Sequence, residues 1–532
     1  MEYSLFGKLP IHHHSLHPTG YASLSLSLSL ESRLYMYTQT SFSLNHHPSE
    51  LFSHSSKFNT MKIPSLIFSS LALLLVCVSG LGPRCARLNQ GSSRSTLQVM
   101  HVNSPCSPFR PLKPISWEDS VLQTLTEDQA RVLYLASLVA RKKTNLPISS
   151  GKLTYQSPTY IVEAKIGTPP QTMHMAMDTG NDVSWVPCTG CVGCSSSTVF
   201  NSTNSSSYKG VGCNDDRCKQ VPNPGCSDGG ACGFNFTYGS STVTANLSQD
   251  SVTLATDVFT NYAFGCIKMA TGKSVPPQGL LGLGRGSLSL LSQTIKQYNN
   301  IFSYCLPAYS SSAATGSLRL GPVGQPQRIK TTLLLRNPRR PSLYYVNLIA
   351  IYVGRKLVDL PAGALAFDPK TGAGTVIDSG CCNLQISPLF YNALLLLSNN
   401  DPADPLFTQL GTVFTRFVTT VYTAVRDEFK KRVRGPTGKL NATQLGGFDT
   451  CYTVPVTVPT ITLVFSGMNV TLPTDNLMIR SSVSNTSCLA MAAAPNNVNS
   501  ALNVIASMQQ QNHRILFTGT SLGVARERCT TY

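Results

Sequence analysis

The chain has 532 residues, 42% of them hydrophobic and 13% charged, which is enough for two or more domains with cores of their own and reads as globular. Lys and Arg number 42 against 25 Asp and Glu, a formal net charge of +17, but the basic residues are scattered and no basic stripe is interleaved with aromatics, so a nucleic-acid partner is not expected. Seven of the ten histidines precede Met61, and after residue 150 only His174 and His513 remain, which leaves few candidates for a Ser-His-Asp or Cys-His centre or for a multi-His metal site.

Residues 1–60 do not read as sequence selected to fold. The tract Ser23 to Leu30 alternates Ser and Leu as a translated CT-dinucleotide repeat would, so this segment is expected to be translated leader. Residues 61–80 read as a secretory signal: Lys62 supplies the positive charge, Leu66 to Val78 the apolar stretch, and Val78-Ser79-Gly80 the small-residue cleavage site. No later run of about twenty apolar residues follows, so the mature protein is expected to be secreted, soluble and without a membrane partner. Residues 81–150 combine Pro-rich turns with a helical pattern from Trp117 to Val139 and the basic Arg141-Lys142-Lys143, and read as a pro-segment. Beyond residue 150 short β-type runs, among them Tyr160 to Ile166, Val252 to Leu254, Leu343 to Val353 and Ile461 to Phe465, alternate with Gly, Pro, Asn and Ser, the pattern of an all-β body. One helix is expected in it, Val421 to Arg432, on the surface.

The cysteines sort by region. Cys77 lies in the signal, Cys85 and Cys106 in the pro-segment, and Cys381 and Cys382 stand side by side; the remaining twelve are Cys188, Cys191, Cys194, Cys213, Cys218, Cys226, Cys232, Cys266, Cys305, Cys451, Cys488 and Cys529. An even number in a secreted chain predicts six disulfides, with the connectivity open. The spacing Cys188-x-x-Cys191-x-x-Cys194 also suits zinc or an iron-sulfur cluster, but a fourth ligand is missing and the compartment is oxidising, so no metal or other cofactor is expected. Sequons at Asn201, Asn204, Asn235, Asn246, Asn441, Asn469 and Asn485 fit the same compartment as glycosylation sites.

The chemistry is carried by two short stretches. Met173 to Met177 runs into Asp178-Thr179-Gly180, and Thr375-Val376-Ile377 runs into Asp378-Ser379-Gly380. Asp disfavours strands and needs hydrogen-bond donors when buried, so two apolar approaches that each end in Asp, a small hydroxyl residue and Gly suggest one site built from two halves. Two carboxylates held close share a proton, one pKa falling and the other rising; at acid pH the ionised one takes a proton from water while the protonated one donates to a carbonyl oxygen. That is amide hydrolysis without covalent intermediate, metal or histidine, with Asp178 and Asp378 as the catalytic pair.

Asp178 to Val186 followed by Pro187-Cys188, then Tyr238-Gly239-Ser240, Gly279 to Gly286, and Asp378-Ser379-Gly380 resemble the pepsin-type aspartic proteases. The Cys-rich segment 188–232 and the run Met508 to Phe517 resemble the plant nepenthesin-like, apoplastic branch. The resemblance, over residues 88–532, implies an all-β, bilobal, pepsin-like fold with two β-barrel-like lobes, 151–340 and 341–532, and a cleft between them. It implies that Thr179 and Ser379, with Gly180 and Gly380, support the two loops, that Tyr238 sits on a hairpin flap over substrate, and that Trp185 stands behind the flap. It also implies protein or peptide substrates, a zymogen, a monomer, and a place in the apoplast or cell wall. Gly282-Leu283-Gly284-Arg285-Gly286 is no phosphate loop, because no Gly-Lys-Ser/Thr follows.

Two departures stand out. Asn181 occupies a position where Ser is commoner in the family, and it retains a donor for the neighbouring carboxylate. After Gly380 the family continues with Thr and an apolar pair, whereas here Cys381-Cys382-Asn383 follows and the expected continuation begins at Thr412. Residues 381–411 therefore read as a retained intron or gene-model error. A true insertion at this point would put activity in doubt, and a catalytically impaired binding or inhibitor-type protein on the same fold is the alternative reading.

Overall fold

Alternation of apolar and polar side chains sets the two strands that lead to the first Asp. In the strand Tyr160–Ile166, Tyr160, Val162, Ala164 and Ile166 are buried while Glu163 and Lys165 reach outward. In Gln171–Asp178 the buried set is Met173, Met175 and Met177, joined by Ala176 and Asp178. The two strands pair antiparallel from Ile161 opposite Ala176 to Ile166 opposite Gln171. The computed structural model describes residues 96–101, 107, 108, 125 and most of 160–529, the longest undescribed interval within that last span being 381–412. The leader, the signal, the pro-segment helix apart from Leu125, residues 381–411 and Asn485 lie outside the described residues.

The body is all-β and strand-rich, in a bilobal, pepsin-like arrangement. The described strands form one twenty-stranded sheet with three small sheets of four, two and four strands. The expected pair of β-barrel-like lobes is corrected here: the large sheet is not closed into a barrel, and it draws on both halves of the chain. Closing a barrel requires each half to pair its first and last strands with each other. Instead, strands from near the C-terminus pair across to the other half. His513–Phe517 lies antiparallel to Phe302–Cys305, and Ser521–Arg526 lies antiparallel to Thr331–Leu335. Aromatic packing seals the first of these seams, with Phe302 stacked on Phe517 at 4.6 Å between ring centroids and Tyr344 against the same ring.

Two three-strand motifs repeat within this sheet. The first Asp strand, Gln171–Asp178, runs parallel to Leu280–Gly282, which is crossed antiparallel by the strand Trp185–Val192 at Trp185. The second, Gly374–Ile377, runs parallel to Leu502–Ile505, which is crossed antiparallel by Thr415–Phe417 at Arg416. The crossing residue comes seven positions after Asp178 but thirty-eight after Asp378, and thirty-one of those positions are residues 381–411.

The helix Thr419–Arg432 starts two residues before its expected place and is less superficial than its sequence suggested. Val421, Val425 and Phe429, at successive i, i+4 positions, are buried together with Tyr422, and Lys430, Lys431 and Arg432 fall in the last turn, where cations favour the helix dipole. A strand from the segment expected to be a pro-segment is also part of the sheet. Thr96–His101 pairs antiparallel with Thr315–Leu320 on one side and with Tyr160–Ile166 on the other.

Candidate active site

Both Asp turns are carried on the parallel strand pairs just described, and both carboxylates are buried, Asp178 at 0% and Asp378 at 1% exposure. Burial of a carboxylate demands donors, and the first turn supplies them locally. Asp178 Oδ1 accepts from the Gly180 N–H at 2.7 Å, and Oδ2 accepts from Asn181 Nδ2 at 2.7 Å. The Asn at this position thus donates to the neighbouring carboxylate. Asp378 is fixed through its backbone N–H, which donates to Ile505 C=O at 3.1 Å, and its Oδ1 receives the Gly380 N–H at 3.3 Å.

Thr179 joins the two turns. Its Oγ1 accepts from the Ser379 N–H at 2.8 Å and donates to Asp378 Oδ1 at 3.3 Å, across 200 and 199 residues of sequence.

Tyr238 ends the strand Cys232–Tyr238, which folds back through Gly239 onto Ser241–Leu254 with Tyr238 opposite Ser241. Its hydroxyl donates to Asp178 Oδ2 at 3.0 Å, so this oxygen receives both Tyr238 and Asn181. Trp185 lies behind it, ring edge to face at 5.4 Å, with Phe236 on the same indole at 5.8 Å. The Trp185 Nε1 is buried and makes no hydrogen bond among the described residues.

Asp182, four residues past Asp178, was not singled out by sequence and ties the first Asp turn to the Gly-rich stretch. Its carboxylate accepts the Gly286 N–H at 2.7 Å and the Ser342 hydroxyl, and burial raises its pKa against the lowering effect of these bonds. This accounts for the Gly-rich stretch. A Cβ on Gly284 or Gly286 would overlap the Asp182 carboxyl, which its two partners hold in place. Gly286→Ala is therefore expected to destabilise the protein by about 1–3 kcal/mol, read from the midpoint of denaturant unfolding; an unchanged midpoint would show that Asp182 yields freely.

The twelve cysteines form Cys188–Cys266, Cys191–Cys194, Cys213–Cys226, Cys218–Cys232, Cys305–Cys529 and Cys451–Cys488. Cys218–Cys232 ties the Cys-rich loop to the strand Cys232–Tyr238, and Cys305–Cys529 ties the strand carrying Tyr304 to the C-terminal segment. Among the described residues no group of three or more His, Cys, Asp or Glu side chains is arranged to hold a metal, and no helix is long and apolar enough to cross a membrane. Of the sequons, Asn204, Asn235, Asn441 and Asn469 are exposed, whereas Asn201 and Asn246 are half-buried. Asn201 Oδ1 is engaged as a cap on Thr203.

Comparison with known proteins fits this geometry. The family described as Xylanase inhibitor N-terminal matches residues 160–322, and Xylanase inhibitor C-terminal matches residues 403–521. Aspartyl protease AED3 of Arabidopsis thaliana is 43% identical over 81% of this chain and 91% of its own length. Aspartyl protease 25 of Oryza sativa subsp. japonica is 39% identical over 81% and 94%. Among solved structures, that of edgp superposes with a TM-score of 0.51 at 18% identity, over 72% of this chain and 98% of its own. Conglutin gamma, a basic 7S globulin from lupine seeds, gives 0.50 at 16% identity, over 70% and 93%; at these identities the likeness is one of fold. With two aspartyl proteases matched along nearly their whole length and both halves of the body matched by family models, the chain belongs to the pepsin-like aspartic protease family, in its xylanase-inhibitor-type domain architecture.

Proposed function

We propose that the site is that of an aspartic endopeptidase, hydrolysing peptide bonds at acid pH through Asp178 and Asp378, in a protein secreted to the plant apoplast or cell wall as a nepenthesin-like zymogen. The observation that carries this reading is the shared Thr179 hydroxyl, which holds the Ser379 backbone and the Asp378 carboxylate at once and so ties two buried Asp turns into one unit. In the reaction, one carboxylate removes a proton from water as the oxygen attacks the scissile carbonyl, and the protonated partner donates to the carbonyl oxygen. Collapse of the tetrahedral species returns a proton to the leaving amine, and both carboxyl groups recover their starting states.

A second reading is favoured by three observations and is the better supported for the chain with residues 381–411 in place: a pepsin-fold binding or inhibitor-type protein with impaired catalysis. Both halves match xylanase-inhibitor families. The extra thirty-one residues begin directly after Gly380, whose N–H is a donor to Asp378. Asp178 Oδ2 also receives both the Tyr238 hydroxyl and Asn181 Nδ2, which together use the two acceptor positions of that oxygen. Acid-pH digestion of a denatured protein by the full chain, with and without pepstatin, separates the two. Pepstatin-sensitive cleavage supports the endopeptidase; a folded full chain that cleaves nothing supports the impaired binding protein.

A further inference from the structure

The run Gln509-Gln510-Gln511 lies just after the strand Leu502–Ile505, mostly within the four-residue helix Ser507–Gln510, and all three side chains are 2% exposed. Three adjacent buried amides are costly unless each is satisfied, and each is used on a different wall. Gln509 accepts the Thr415 N–H at 2.9 Å and donates to Asn476 C=O and Ala490 C=O. Gln511 donates to the Tyr160 hydroxyl at 2.8 Å. Gln510 turns to the second Asp: its Nε2 donates to Asp378 C=O and to Ile505 C=O, both at 2.9 Å, and its Oε1 accepts the Tyr304 hydroxyl.

We propose that Gln510, held by Tyr304, is a positioning residue for Asp378, which it acts on through the backbone of the Asp turn without touching substrate; this deepens the endopeptidase reading and rests on it. The orientation of the amide is dictated by its partners, since two carbonyl oxygens can only be met by the NH₂ end, which leaves the oxygen for the phenol. Ile505 C=O is the same atom that accepts the Asp378 N–H, so Gln510 closes a ring that grips the residue from both its amide and its carbonyl. Tyr304 belongs to the strand Phe302–Cys305, paired with His513–Phe517 across the seam between the halves. The second Asp is thus referenced to the first half of the chain twice, through Thr179 at its side chain and through Tyr304 and Gln510 at its main chain. Burial, with the Asp378 carboxylate as a second contribution, keeps the Tyr304 phenol protonated and therefore a donor.

The test is amide hydrogen exchange on the full chain together with cleavage kinetics, in Gln510→Met, Gln510→Glu and Tyr304→Phe. Gln510→Met is expected to speed exchange in 374–380 and 502–506 while leaving 171–178 unchanged, and to lower kcat about 100-fold with KM nearly constant, since a small misplacement of a catalytic group costs about that much. Gln510→Glu, protonated in acid, keeps one donor and is expected to retain more activity than the Met variant at low pH and to lose it as pH rises and the carboxylate faces two carbonyl oxygens. Tyr304→Phe deletes one hydroxyl and is expected to move exchange and kcat in the same direction by less, which keeps the test intact should Gln510→Met fail to fold. If the full-length parent cleaves nothing, the endopeptidase reading fails for the chain with residues 381–411 in place, and exchange alone then decides the positioning role: faster exchange confined to the two segments upholds it. Unaltered exchange, or an unaltered kcat in a parent that does cleave, overturns it.

Discussion

Asp178→Asn and Asp378→Asn are each expected to lower acid-pH peptide cleavage by about 10⁴-fold, the upper range for loss of a positioned acid or base. Under the proposed reading the two buried carboxyls divide the acid and base roles, and the hydroxyl of Thr179, next in sequence to Asp178, donates to Asp378 Oδ1. An Asn can neither take the proton from water nor give one to the carbonyl oxygen, yet it is nearly isosteric and preserves the acceptor for Gly180 N–H or Gly380 N–H. Folding should survive, so the loss should appear in kcat with the melting temperature little changed. Because the pair acts as a unit, the double variant should be scarcely worse than either single one. Additive losses would show that the two residues serve separate sites.

Acid conditions are expected to loosen the N-terminal strand. His101 closes Thr96–His101, opposite Tyr160, with its ring edge-on to the tyrosine at 5.2 Å and 5% exposure. Burial lowers its pKa from 6.5 to about 3. The docked strand therefore binds fewer protons than the released one between those values. The stability due to neutral His101 is full above about pH 6.5 and falls as pH drops toward 3, by a total on the order of 4 kcal/mol. Hydrogen exchange of residues 96–101 should accelerate across this window, and His101→Phe, which keeps a ring against Tyr160, should remove most of the acceleration. Equal pH dependence in both proteins would mean that other groups govern the strand. Since this strand lies in the expected pro-segment, acid conditions would weaken the segment's hold on the body.

The two Asp turns were legible because an acidic residue in an acid-poor chain, twice at the end of an apolar run and before a hydroxyl residue and Gly, is a local pattern. The strands Tyr160–Ile166 and Ile461–Phe465 were legible for the same reason, their alternation being a property of the segment itself. Closed lobes were not a safe expectation, because alternation states which face is buried and says nothing of which edge a strand will pair with; the C-terminal strands cross to the other half. Val421, Val425 and Phe429 form an i, i+4 stripe, a local pattern that accounts for their burial in a helix expected on the surface. Asp182 and Gln510 left no pattern of their own. Each acts through a contact more than a hundred residues away, Asp182 on Gly286 and Gln510 on Asp378, and the one available cue was a Gln triplet with no period to interpret it.

The repeated three-strand motif makes residues 381–411 the point on which the account turns. With them removed, Arg416 would follow Asp378 at the spacing by which Trp185 follows Asp178, and Thr412 would follow Gly380. Acid-pH cleavage of a denatured protein by the chain lacking 381–411, measured beside its Asp178→Asn variant, tests the two-halved site most directly. The account predicts pepstatin-sensitive cleavage by the shortened chain and none by the variant; a folded shortened chain that cleaves nothing, or cleavage that survives Asp178→Asn, would contradict it.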